Sequence, residues 1–258
     1  MRTHLRAARF DLLEPRRLLA AVSFQIDSEL SRLTVAAKGE VDNVGSVKLN
    51  AQQDGSDSAN YEGTLVADIT RRGVRFTGGS EINAIAKDGD FAPGGGDAVY
   101  AVKGKVKKII TLAELEAAVR DLSLDITGSS PKPITGVKHK FQIRKGEMEI
   151  KGGTLDYDID SKFGDSDGTK SLDGLEADLV SGDGRITGKK GSRILTVPIQ
   201  VKFTREFDND GEGVFTFKGQ IVGREQAASG QAFVPFAFSS KPIEAKRDDD
   251  RPGASIIL

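Results

Sequence analysis

The chain has no cysteine, no tryptophan, two histidines in 258 residues and almost no imbalance of charge. Each absence excludes a class of chemistry. Without cysteine there is no disulfide, no thiolate zinc site, no iron–sulfur cluster and no cysteine nucleophile. His4 lies near the N-terminus, which leaves His139 as the one histidine of the body. A Ser–His–Asp triad therefore has a single candidate base, and a multi-histidine metal site has none. No segment reaches the roughly 18 apolar residues that a membrane helix needs. The 37 basic and 38 acidic side chains leave a net charge of −1, which argues against nucleic acid as a partner, since its binders carry a basic excess. No serine sits in a G-x-S-x-G elbow. Gly78-Gly79 and Gly94-Gly95-Gly96 lack the spacing and the lysine of a phosphate-binding loop. Sugar-stacking rings are scarce, with only Tyr61, Tyr100 and Tyr157 beside the phenylalanines. Together these absences lean away from an enzyme.

What is present is a strand pattern. Apolar residues alternate at Val47, Leu49 and Ala51, and again at Leu195, Val197, Ile199, Val201 and Phe203. Turns rich in Gly, Asp and Ser punctuate the chain. Period two with such turns predicts an all-β, mainly antiparallel fold, a sandwich or a barrel of curved sheets. One interruption is expected. Thr111 and Glu114 form a capping box, and Leu112, Leu115, Val119 and Leu122 share a face at helical spacing, so a short amphipathic helix is expected near 112–121. The organisation reads as a leader over 1–22, a single β-rich domain over 23–240 and a disordered tail over 241–258. Gly63-Thr64-Leu65 echoes Gly153-Thr154-Leu155, which suggests two similar halves, about 23–110 and 123–240.

The leader carries five arginines ahead of a short apolar run, Leu18 to Val22, too short for a Sec-type signal. Its residues Leu13, Glu14, Pro15, Arg16, Leu18 and Leu19 resemble the LEPR-x-LL segment near the N-terminus of exported or surface proteins of planctomycete-type bacteria. The resemblance implies export or cell-surface sorting and nothing about activity; the candidate partners are other cell-surface proteins or cell-envelope polymers. The body, at 61–65, 76–80 and 117–122, is similar to uncharacterised β-rich proteins that accompany such leaders.

Two acidic groups are candidate metal sites. If Lys145-Gly146 and Gly152-Gly153 are hairpin turns, residues 137–160 form a meander. Glu149 then faces Asp156, and Glu147 faces Asp158. Phe141, Ile143, Met148, Ile150, Leu155 and Tyr157 all fall on one face, with His139 in the same inward register. Four adjacent carboxylates on a sheet repel one another, and calcium, which takes several carboxylate oxygens, would neutralise them. The second group is Asp208, Asp210 and Glu212, in a loop that opens like an EF-hand but lacks the required glutamate at position twelve. A solvated acidic face and a polar turn are the plain alternatives. A second hairpin is expected to join 192–205 to 213–222, with Val201, Phe203, Phe215 and Phe217 inside and an edge or bulge at Pro198. The lysines from Lys103 to Lys108 read as blunting an exposed edge.

The reading that results is an exported β-rich structural or interaction module, with calcium as a candidate stabiliser. Two others stay open: a carboxylate-dependent glycoside hydrolase, and a carrier of an apolar ligand inside a curved sheet.

Overall fold

The computed structural model describes residues 21–41, 45–70, 73–107, 111–129, 139–180, 182–207 and 211–226. These fall in one compact unit that ends at Ala227. The leader motif, Asp208, Asp210 and the 241–258 tail lie outside the described residues.

The described residues form strands and no helix. In chain order these are β1 (Val22–Ile26), β2 (Arg32–Val41), β3 (Gly45–Ala51), β4 (Ser58–Thr70), β5 (Gly73–Thr77), β6 (Glu81–Ala84), β7 (Tyr100–Lys107) and β8 (Thr111–Ser129). They continue as β9 (Lys140–Gln142), β10 (Arg144–Ser161), β11 (Ser166–Ser171), β12 (Glu176–Leu179), β13 (Asp183–Thr187), β14 (Ile194–Phe207) and β15 (Gly211–Glu225). The fold is all-β, with antiparallel ladders throughout its long strand pairs. The strands join in the order β11-β10-β8-β7-β3-β2-β4-β1-β15-β14-β13-β9, and β2 also pairs directly with β15.

Four long strands change partners along their length, and each change falls at or beside a residue with positive φ. In β4 the partner passes from β2 (up to Asn60) to β1 (from Thr64) around Gly63 (φ 106°). β8 pairs with β7 up to Val119 and with β6 and β5 from Ser123 onward, with Asp121 (φ 51°) between. β10 pairs with β12 before Ile150 and with β11 from Thr154, with Gly153 (φ 133°) between. β15 pairs with β2 up to Gln220 and with β1 from Gly223, just past Gly219 (φ 156°). An L side chain rarely adopts such angles, so these residues mark where the ladder bends and its inward phase resets.

That reset overturns two expectations. Residues 112–121 belong to strand β8 and not to a helix. Ala113, Leu115, Ala117 and Val119 point inward at period two, and the break at Asp121 returns Leu122, Leu124 and Ile126 to the interior. Leu115 and Val119 are four apart, a spacing that fits a helix face and a strand face equally. Ladders to β7 and β10 on both sides decided between them, overriding local propensity.

The 137–160 meander is likewise absent. Residues 144–161 form one strand, and Gly152-Gly153 makes a bulge in it instead of a turn. The bulge shifts the phase by one residue. Met148 and Ile150 are buried before it, and Leu155, Tyr157 and Ile159 after it. All six residues expected inward are buried, but Phe141 lies on β9 beside β13 and not in a row with Ile150 and Leu155. His139 is exposed at φ 42°, outside the inward register expected for it.

The β14–β15 hairpin forms as expected. Val201 pairs with Phe217 and Phe203 with Phe215, and all four are buried. Pro198 sits just past the β13–β14 ladder, which stops at Thr196, so its missing N–H falls where that ladder has ended. Strand β7 is flanked by β3 and β8, so Lys103 and Lys105 lie on a paired strand and do not blunt an edge.

One continuous apolar core runs from β1 to β15. Three of its polar side chains are paired, whereas Asp68 Oδ1 and Arg205 Nε are buried with no hydrogen-bond partner among the described residues. The Tyr61 and Tyr100 hydroxyls meet at 2.7 Å, and Tyr100 donates onward to the Leu33 carbonyl at 3.3 Å. Buried Asp125 accepts N–H bonds from Gly79 and Ser80 at 2.9 Å each and from Ile126 at 2.7 Å. The space inside the ring of Val119, Ile150, Leu155, Phe203 and Phe217 is about 10 Å³, room for one water at most.

Candidate functional site

The four carboxylates expected to cluster are spread along β10. Glu149 to Asp156 is seven residues of strand, on the order of 20 Å. Glu147 lies opposite Thr127 and Asp178, and Glu149 opposite Asp125 and Glu176. Lys151 bridges Glu149 at 2.6 Å. Asp156 is bound at 2.7 Å by the Arg120 guanidinium and at 2.6 Å by the Thr169 hydroxyl. The two-by-two patch therefore does not exist.

A different acidic group takes its place. Asp158 lies between Glu116 of β8 and Asp167 of β11, and Asp160 lies opposite Glu114. Partial burial holds the Asp158 carboxyl above its usual range, and the nearby charges of Asp167, Asp160 and Asp165 add to the effect. On β15, Glu212 lies directly opposite both Glu206 of β14 and Glu40 of β2. Among the described residues no three His, Asp or Glu side chains converge as a metal site.

The sheet places these acids in a larger pattern. On its outer side, Lys103 and Lys105 of β7 lie level with Glu116 and Glu114 of β8, and these lie level with Asp158 and Asp160 of β10. Asn50 of β3 pairs with Lys103. Continuing that register two residues sets Lys48 level with Lys105, and Lys38 of β2 pairs with Lys48. Along these level rows the outward charges are thus basic on β2, β3 and β7 and acidic on β8 and β10, with Asp167 of β11 beyond; Glu40 of β2, Arg120 of β8 and Lys151 of β10 lie outside those rows. The change of sign falls at the β7–β8 border, where Lys105 and Glu114 meet at 2.5 Å. Lys38, Lys48, Lys103, Glu114, Glu116, Asp158 and Asp160 each adjoin a buried apolar residue, so the same period-two pattern that builds the core displays the charges.

Arg120 borders the acidic side. Besides Asp156 it donates to the carbonyls of Phe91 at 3.1 Å, Pro93 at 2.9 Å and Asp97. It thereby fastens the 88–97 loop over the sheet, where Phe91 packs on Ala98, Ala101 and Ala118. Between this loop and Asp156, Asp158, Asp167 and Thr169 runs an open groove of about 550 Å³. Sequence reasoning did not single out Arg120, because 112–121 reads as helix. The available signal was the Gly94–Gly96 run, a loop that needs an external anchor.

Comparison of the chain with protein-family models, with curated proteins and with solved structures finds no match.

Proposed function

We propose that the chain is an exported or cell-surface structural and interaction module that works through its charged outer wall. The observation that supports this most is the segregation of lysine and carboxylate rows over a side-chain-filled core. Charges on a paired, rigid sheet keep their spacing, and such patterns serve recognition more than affinity. The resemblance of the leader to LEPR-x-LL segments supports the address. The 10 Å³ interior space gives the carrier reading no support. The hydrolase reading has the raised Asp158 carboxyl beside Asp167 in its favour. Against it, both side chains are exposed on the wall, whereas an acid catalyst needs burial.

The test is retention on cell envelopes prepared from a planctomycete-type bacterium. The native chain sediments with them at low salt and is released at high salt. A Glu114→Gln, Glu116→Gln, Asp158→Asn, Asp160→Asn variant stays in the supernatant while melting as a folded protein. Equal retention of native and variant chains overturns the proposal.

A further inference from the structure

The charge border on the wall has a symmetry consequence. An acidic arc alone calls for a basic partner of any kind, and a basic arc alone for an acidic one. Here the two arcs lie side by side on one face, with the sign changing between adjacent strands β7 and β8. Next to the border, Lys105 and Glu114 already neutralise one another. Further out the charges have no opposite sign level with them on the adjoining strand. Lys38 pairs with Lys48, Asp158 with Glu116 and Asp167, and Asp160 with Glu114. Like charges opposed across a ladder are unfavourable, and the relief available to both arcs at once is a surface with the same two arcs in reverse order.

A second copy of this chain is such a surface. Resting on the reading of the wall as an interaction face, we infer that the protein forms a two-fold symmetric dimer through it, with the axis parallel to the strands along the β7–β8 border. Rotation about that axis lays the β3 and β7 lysines of one copy over the β8 and β10 carboxylates of the other, and the reverse, in a single closed contact. An axis across the strands places acid on acid and base on base. A head-to-tail contact satisfies one arc per contact and leaves open ends. Adjacent strands are about 4.8 Å apart, so β3 to β10 spans about 14 Å and the charges of both copies fall in the same rows. The loop held by Arg120 rises one row beyond Asp158, over Ala101 and Ala118, and limits the contact to the end of the wall carrying Glu114 and Glu116.

Sedimentation velocity of the full chain tests this. The native protein sediments as a dimer at low ionic strength and as a monomer at high, because exposed ion pairs are screened. A basic-to-acidic variant (Lys48→Glu, Lys103→Glu, Lys105→Glu) is monomeric, and so is an acidic-to-basic variant (Glu116→Lys, Asp158→Lys, Asp160→Lys). Mixed in equal amounts, the two variants form a one-to-one dimer, which also shows that both are folded. A native monomer at low salt overturns the inference, as does a dimer that survives in either variant alone or a polymer in place of a dimer. A monomer whose envelope retention still depends on the acidic row would refute self-pairing while leaving the interaction reading intact.

Discussion

Gly153 and Gly211 share the same backbone angle, φ 133°, and the chain does opposite things at them. At Gly211 it has just reversed from β14 into β15, and Phe207 pairs across to Gly211. At Gly153 it runs on through β10 with a bulge. The neighbours account for the difference. Gly211 follows Asp208-Asn209-Asp210, residue types that are common in turns. Gly153 is followed by Thr154-Leu155-Asp156-Tyr157, and β8 continues past it as a template. A glycine permits the unusual angle; the residues around it decide between reversal and phase shift. Each region also has an arginine clamp. Arg193 grips Glu225 at the open end of the β14–β15 hairpin with two bonds of 2.7 and 2.8 Å, and Arg120 grips Asp156 beyond the bulge.

The largest expected effect is at the hairpin. A Cβ on Gly211 would lie 1.8 Å from the Glu40 carbonyl oxygen, a backbone atom that cannot swing aside. Gly211→Ala is expected to lose more than about 4 kcal/mol, read by denaturant unfolding. A loss below about 1 kcal/mol would mean that this ladder can part without cost.

Next is the clamp. Hydrogen bonds from Arg193 chiefly hold the Glu225 carboxyl down, from 4.5 to about 2. A depressed acid stabilises the fold above its unfolded value and loses that contribution as pH falls. Glu225→Gln is therefore expected to cost about 1–3 kcal/mol at neutral pH. It should also flatten the stability–pH curve between 4.5 and about 2. An unchanged acid limb would place the acid sensitivity elsewhere.

The two bulge glycines sharpen the comparison. At Gly153 a Cβ meets the Arg120 oxygen at 3.1 Å and the angle is strained, whereas at Gly152 nothing lies within 4 Å. Gly153→Ala should cost about 1–3 kcal/mol. Gly152→Ala should be neutral or stabilising by up to about 1 kcal/mol. Equal effects at the two positions would refute the bulge as placed.

The smallest effect is at Glu212, opposed by Glu40 and Glu206. Glu212→Gln should raise stability by about 0.2–1 kcal/mol through relief of like charges. A fall in Tm seen only with calcium present would mean that a cation neutralises the row.

The β14–β15 hairpin was legible because its signals agree: alternation on both arms next to the turn, turn residues between them, and one register that buries Val201, Phe203, Phe215 and Phe217. Strands β8 and β10 were misread because their alternation contains a phase break, at Asp121 and at Gly153. A phase break in a strand, a helical stripe and a tight turn give the same local pattern, and the partner strand that distinguishes them is remote in sequence. The acidic residues were recognised as a group, but their partners came from β8 and β11. The charge border at β7–β8 was not legible at all, because it depends on the order of strands in the sheet.

The buried tyrosines give the molecule an optical clock. With no tryptophan, its near-ultraviolet absorbance comes from three tyrosines and 13 phenylalanines. Tyr61, Tyr100 and Tyr157 are all sealed in the core. Burial holds the Tyr61 and Tyr100 phenols well above their ordinary value of 10.0. A phenol raised in this way stabilises the fold below the unfolded value, and that contribution drains away as pH climbs past it. In alkali, phenolate at Tyr61 and Tyr100 then forms as the core opens. Its appearance after a jump to high pH would time that opening directly, with no label added and no surface chromophore to blur the trace.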